Sequence, residues 1–345
     1  MKKYILFILM VVSILACTKT LDFDDEGLAN KLVFNGIIQT GDSFTSNLSR
    51  SSSILSETGF GIPPMSAYGT IQLYENETLL STASSPFGQF SLTDIKPKAG
   101  ASYRVVVNSE NETIEAQTTI PEKANVLSVD TTSVKSNNNL RSTILNLRIK
   151  DPEGEDYYRI IYMRETISYL QDNKGVRKYY RNYSQYGIGS DDPVFKSVYN
   201  NFGDEIIDGP DNEYSIFPDT YFNGKEYSMK LSYYENPSSY SGYGYGNSSV
   251  VYGTKQIYER NEIHVQKLSK NLYNYLKYLK LYNFYHDNPF AEPVPIYSNV
   301  KNGIGIFAGF NDEVKLQYEK KLIPFSMDTI KIEENGYNNG GGYGY

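Results

Sequence analysis

Cysteine occurs once in this chain, histidine twice and tryptophan not at all. A single cysteine excludes an internal disulfide framework and a thiolate metal cluster. Neither His264 nor His286 has a second histidine three or four residues away, so the helical spacing of a zinc site is missing. His264 lies in an alternating stretch with Arg260, Glu262 and Gln266 on its side, which reads as a solvent-facing row. His286 follows a helical pattern, where a partial positive charge is welcome. A basic block is also missing. The formal charge is −7, and an acidic chain without clustered Lys or Arg argues against nucleic acid and against a polybasic membrane contact. Long apolar runs are confined to the N-terminus.

There, Lys2 and Lys3 precede an apolar run over residues 4–15, then Ala16 and the single cysteine, Cys17. This is the order of a secretory signal. About a dozen helical residues reach roughly 18 Å, short of a ~30 Å hydrocarbon core, so a signal is expected and not a membrane span. Ile14-Leu15-Ala16-Cys17 resembles the lipobox of bacterial lipoproteins, in which the thiol is acylated and becomes the new N-terminus. That resemblance implies a signal peptide at residues 1–16 and lipid attachment at Cys17. Several acyl chains make a stable anchor where one does not. Loss of Lys2 and Lys3 takes the formal charge from −7 to −9. Asp22, Asp24, Asp25 and Glu26 then crowd a stretch that cannot pack, so residues 17–30 read as a solvated tether. The acidic run also resembles the short export signal that sends Bacteroidetes-type lipoproteins to the outer face of the outer membrane.

The rest is ordinary for a folded body, with 40% hydrophobic and 21% charged residues. Its length suggests two domains. Residues 31–121 hold about seven short alternating segments separated by turn signals, the pattern of a small β-sandwich. Residues 68–74 are an example: Tyr68, Thr70, Gln72 and Tyr74 share one face, Ile71 and Leu73 the other. Residues 122–125 read as a hinge. A larger β-rich domain is expected over 126–335. It contains a long hairpin turning at Asp172-Asn173-Lys174-Gly175 and strands at 143–149, 227–234 and 257–265. Separate strands are expected at 303–310 and 315–324. One helix is expected over 269–285, with Ser269 as N-cap and Leu268, Leu272, Tyr275, Leu276, Leu279 and Tyr282 as its apolar face. The fold class is mainly β.

Chemistry is thin. Asp24/Asp25 and Asp191/Asp192 read as loop charges, and a glycosidase pair needs a cleft that sequence does not reveal. Asp204-Glu205-Ile206-Ile207-Asp208-Gly209 is the nearest approach to a calcium loop but lacks its spacing. Gly303, Gly305 and Gly309 have neither the spacing nor the lysine of a phosphate loop and read as close packing in a sheet. Asp130-Thr131-Thr132 and Asp328-Thr329-Ile330 resemble the O-glycosylation signal of Bacteroidetes exported proteins. No catalytic residue, metal site or cofactor is expected.

What is abundant is tyrosine, 33 of them beside 16 Phe. Many suit half-buried strands. Residues 237–249 and a tail at 336–345 are low-complexity Tyr/Gly/Ser/Asn stretches, and Tyr240, Tyr243, Tyr245, Tyr337, Tyr343 and Tyr345 have no core to fill there. Tyr in such a setting offers large contact area at low entropy cost. These six are the candidate partner contacts.

Taken together, the acidic tether, Val33-Phe34-Asn35-Gly36-Ile37-Ile38, the G-x-x-Y-R-V at 100–105 and the T-T-I-P at 118–121 form a pattern. So do D-P-E-G-x-x-Y-Y-R at 151–159, the Tyr-rich helix and the block at 288–310 ending in Gly303-Ile304-Gly305-Ile306-Phe307-Ala308-Gly309-Phe310. The whole resembles the Bacteroidetes surface-lipoprotein family known as domain of unknown function 4249. The resemblance implies an N-terminal immunoglobulin-like or carboxypeptidase-regulatory-like sandwich, a β-rich second domain, and company with TonB-dependent outer-membrane transporters. It implies no catalytic residues. The expected function is therefore a non-enzymatic lipoprotein, anchored in the outer membrane and exposed at the cell surface, that partners a β-barrel transporter. A free-standing glycan- or peptide-binding or adhesion lipoprotein is the alternative, and an uncharacterised hydrolase a third.

Overall fold

The structure, a computed structural model, describes residues 30–41, 43–52, 65–135, 141–199, 210–234, 255–286, 294–324 and 330–332. In chain order the first strands are β1 (Leu32–Gln39), β2 (Phe44–Arg50), β3 (Met65–Ser66), β4 (Gly69–Glu75), β5 (Thr78–Ser85), β6 (Gln89–Leu92), β7 (Ser102–Ser109) and β8 (Glu112–Thr119). Apolar residues at every second position decide which face goes inward. Leu32, Phe34 and Ile38 of β1 meet Ile71 and Leu73 of β4, Tyr103, Val105 and Val107 of β7 and Ile114 of β8, all buried. β5-β4-β7-β8 form one layer, and β1, β2, β3 and β6 belong to the other. The β4–β5 turn places Asn76 and Glu77 at φ 47° and 66°, the left-handed pair that a tight hairpin needs.

The remaining elements are β9 (Asn125–Lys135), β10 (Arg141–Lys150), β11 (Tyr157–Gln171), β12 (Arg177–Tyr186), α1 (Pro193–Lys196), β13 (Ile216–Pro218), β14 (Glu226–Tyr234), β15 (Lys255–Leu268), α2 (Lys270–Tyr285) and β16 (Ile304–Lys321). β14-β10-β9 form a separate three-stranded sheet. Its Leu145, Leu147, Met229 and Leu231 join Ile160, Ile263 and Val265 of the long strands, and Leu272, Leu276 and Leu281 of α2, in a second core. The chain is thus mainly β, a sandwich followed by a larger β-rich region with one main helix.

One nine-stranded sheet runs through both regions in the order β12-β11-β15-β16-β1-β2-β3. β16 joins its halves. Residues 304–310 lie parallel to β1, from Val33↔Ile304 to Gln39↔Phe310. From Phe310 onward β16 pairs antiparallel with β15. Its alternation serves two cores at once. Phe307 points into the sandwich, edge-on to Phe34 at 6.3 Å and Phe44 at 5.6 Å, while Ile306, Ala308 and Phe310 enter the second core. Val300, just upstream, is also part of the sandwich core. Close packing explains the glycines here: a Cβ on Gly305, at φ +116°, would lie 2.1 Å from the Phe34 carbonyl oxygen.

Three sequence expectations need correction. The two strands expected at 303–310 and 315–324 are one continuous strand, because Asn311–Glu313 pair with β15 as the chain leaves β1. Ser269 does cap α2, accepting from the Leu272 amide at 3.3 Å, but its buried face is Leu272, Tyr273, Leu276 and Leu281. Tyr282 is exposed, because Tyr273 stacks on Tyr157 at 4.4 Å and turns the helix. His264 is not solvent-facing. It is 7% exposed, with Nδ1 2.7 Å from Asp312 Oδ2, since that side of β15 is covered near α2.

Candidate functional site

Past Phe310 no described strand pairs with the outer edge of β16. What remains is a four-stranded blade, β12-β11-β15-β16, extending roughly 30 Å beyond the end of β1 at ~3.3 Å per residue. Because β1 and β16 run parallel and residue 30 precedes β1, the chain enters at one pole and the blade tip forms the other. Bulges at Ile167/Ser168 and Asn261/Glu262 mark the blade, and such bulges add twist. At its tip Ile167, Tyr169, Ile257 and Tyr258 make a small third core with Ile323, Ile330 and Ile332 packed on it.

One stripe of the blade stays bare. Val314, Leu316 and Tyr318 recur at every second residue of β16 and are all exposed, Leu316 at 52%. In register across the sheet, Leu316 faces Glu262, Glu262 faces Met163, and Tyr183 on β12 is exposed two pairs further along, opposite Glu165. The flanks carry Lys315, Lys320 and Lys321, charges that protect an open edge from pairing with another copy. Arg164–Glu259 at 2.9 Å and Arg181–Glu165 at 3.1 Å tie neighbouring strands. Pairs of this kind that water still reaches contribute about 0–1 kcal/mol each.

A second grouping is buried beneath the blade's base. Asp151 follows β10, Asp156 precedes β11, Asp219 follows β13, and the three offer carboxylate oxygens within 4.8 Å of one another. Lys267, near the end of β15 and 5% exposed, brings Nζ to 2.6 Å from Asp156 Oδ2. The Tyr158 hydroxyl donates to Asp151 Oδ1, and the Gly224 amide donates to Oδ2 at 3.1 Å. Asp219, 3% exposed, leaves Oδ2 without a partner. Burial pushes the Asp151 carboxyl up, against the hydrogen bonds from Tyr158 and Gly224; burial likewise raises Asp219. Burial also raises the Tyr158 phenol, with Asp151 adding to it. Three carboxylates so arranged are the group among the described residues that could hold a metal ion, and the Lys267 ammonium already supplies one positive charge there.

The family model described as Domain of unknown function (DUF4249) matches residues 18–315. The chain belongs to that family. The match to DUF4249 spans both cores and ends within β16, and it includes the Asp151–Arg159 turn. No curated protein matches the chain.

The residues singled out by sequence lie outside the described residues: Cys17, Asp22, Asp24, Asp25 and Glu26 at the start, Tyr240, Tyr243, Tyr245, Tyr337, Tyr343 and Tyr345 in the Tyr/Gly stretches. Asp204, Glu205, Asp208, Asp328 and Thr329 lie outside them too, whereas Asp130, Thr131 and Thr132 sit exposed on β9. Of the described residues that flank the Tyr/Gly stretches, Tyr234 ends β14 in the separate sheet, whereas Lys255 and Ile332 lie on the blade. Lys255 pairs with Tyr169, and Ile332 bridges to Tyr179. Sequence reasoning missed the acid cluster. Asp151-Pro152-Glu153-Gly154 reads as a turn, and nothing local connects Asp151 or Asp156 to Asp219 or Lys267, which the β11–β13 and β11–β15 pairings bring close.

Proposed function

We propose that this DUF4249 chain is a non-catalytic lipoprotein subunit, anchored through Cys17 at the outer-membrane surface, that grips a β-barrel transporter with its distal blade. The observation that carries the proposal is polarity: parallel pairing of β1 with β16 puts the chain's entry and the blade at opposite ends. An anchor at one pole leaves the other free to engage a neighbour in the same membrane, and shared tethering raises effective concentration so that modest contacts suffice. The blade supplies those contacts as an apolar stripe, Val314, Leu316 and Tyr318, with Tyr183 nearby. Exposed apolar side chains beside aromatics mark interaction surfaces more than solvated faces do. Lys255, which follows the first Tyr/Gly stretch in sequence, and Ile332, which precedes the tail, pair with β11 and β12 of the same blade.

The test is affinity purification of the Leu316→Asp/Tyr183→Asp double variant from solubilised membranes. Loss of two anchors of about 1–2 kcal/mol each should reduce barrel recovery by tenfold or more, with an unchanged melting curve. Full recovery of the barrel by the folded variant would contradict the blade's role. No barrel with either protein, but retention on glycan or peptide arrays, would favour a free-standing binder.

A further inference from the structure

We propose that Lys267 and Asp156 condense spontaneously into an intramolecular isopeptide amide, with Asp219 as the proton carrier. The two side chains are held by sheet register. Tyr158 pairs with Lys267 across β11 and β15, and Asp156, two residues before Tyr158, projects from the same face as its diagonal neighbour. The contact already made, Nζ to Oδ2 at 2.6 Å, places the amine beside the carboxyl carbon it would attack. Fixed juxtaposition of this kind replaces a bimolecular encounter and removes most of its entropic barrier.

The surroundings favour the neutral product. Lys267 is buried, with Nζ 6.0 Å from the centre of the Tyr158 ring. That ring in turn packs on Phe217 at 5.6 Å and Phe222 at 5.9 Å. In water an ammonium and a carboxylate are stabilised by hydration and do not condense. Withdrawn from water they lose that hydration, and an amide costs less to bury than two ions. One ammonium among three carboxylates leaves an excess of buried acid, so a proton is available within the cluster. Asp219 is nine-tenths buried, has an unpartnered Oδ2 and lies within 4.8 Å of the others, within the reach of proton transfer directly or through one water. Burial raises its carboxyl, which suits it to hold that proton.

The step balances without a co-reactant. The ammonium gives one proton to the Asp156 carboxylate, leaving a neutral amine and a neutral acid. The amine lone pair attacks Cγ of Asp156. Asp219 protonates the departing hydroxyl and takes a proton from the nitrogen, so it ends as it began. One C–N bond forms, one C–O bond breaks and one water leaves. The product would lock β11 to β15 at the blade's base in a chain that has no disulfide to do so.

Tryptic mapping of the full chain from denatured membranes tests this. A linked protein yields a branched peptide, residues 151–159 joined through Lys267 to residues 261–270, lighter than its two parts by one water. Linear 151–159 and 261–267 peptides alone would overturn the proposal, whether the site then holds a plain ion pair or a metal. Lys267→Arg should give only linear peptides, and the wild-type digest decides the matter even if that variant misfolds. Asp219→Asn should slow linkage and leave linear and branched forms together. Complete linkage at the wild-type rate in that variant would remove Asp219 from the mechanism.

Discussion

At the residue scale, two positions govern the account. Cys17 sits at the one place where the apolar run, the small Ala16 and a thiol coincide. Cys17→Ser is expected to release the protein from membranes or to accumulate its uncleaved precursor, as seen by fractionation. Cleaved protein still in the membrane fraction would contradict lipidation there. Asp219 governs pH dependence. Its carboxyl and that of Asp151 titrate above the ordinary value of 3.8, chiefly because burial penalises the charged form. Folded protein therefore binds more protons than unfolded, and this contribution to stability is full below 3.8 and is lost as pH rises through the folded values. Asp219→Asn removes part of that slope. Urea midpoints between about pH 4 and pH 7 should show the variant gaining on wild type as pH rises. A difference that stays constant with pH would contradict burial as the cause.

At the element scale, β16 matters most, because alternate residues serve different cores. Phe307→Ala should cost about 3–5 kcal/mol by leaving a cavity between Phe34 and Phe44. Ser269→Ala, which removes the α2 cap and the contact of Oγ with the Gly309 amide of β16 at 3.1 Å but leaves no large cavity, should cost less, about 1–2 kcal/mol. Chemical denaturation compares the two, and similar losses would mean β16 is not the shared wall. Much of this level was legible. Alternation located Ile71 and Leu73 on the inner face, Ser269 announced the helix, and Asp172-Asn173-Lys174-Gly175 the hairpin, whose Gly175 has φ 82°. What was not legible depends on pairing between distant segments. The run from Gly303 to Phe310 looks the same whether it pairs with β15 or with β1. His264 looks exposed until the side it faces is known to be covered. The Asp151–Lys267 cluster needs three segments, the β10–β11 connection, the end of β13 and the end of β15, that have no local signal for one another.

At the scale of the whole molecule, one long sheet fixes direction. The sandwich lies near the chain's entry, and the open-edged blade with Val314, Leu316 and Tyr318 lies at the far pole. A small sandwich with short hairpins has little adaptable surface, whereas an exposed apolar stripe beside aromatics does. The most direct measurement is photo-crosslinking on intact cells, with the reactive residue placed at Leu316 or Tyr183 on the blade, or at Leu79 or Phe87 on the sandwich, all four exposed. Adducts to an outer-membrane β-barrel protein are expected from the two blade positions and not from the two sandwich positions. Adducts from the sandwich alone, or equal adducts from all four, would contradict a partner held by the blade.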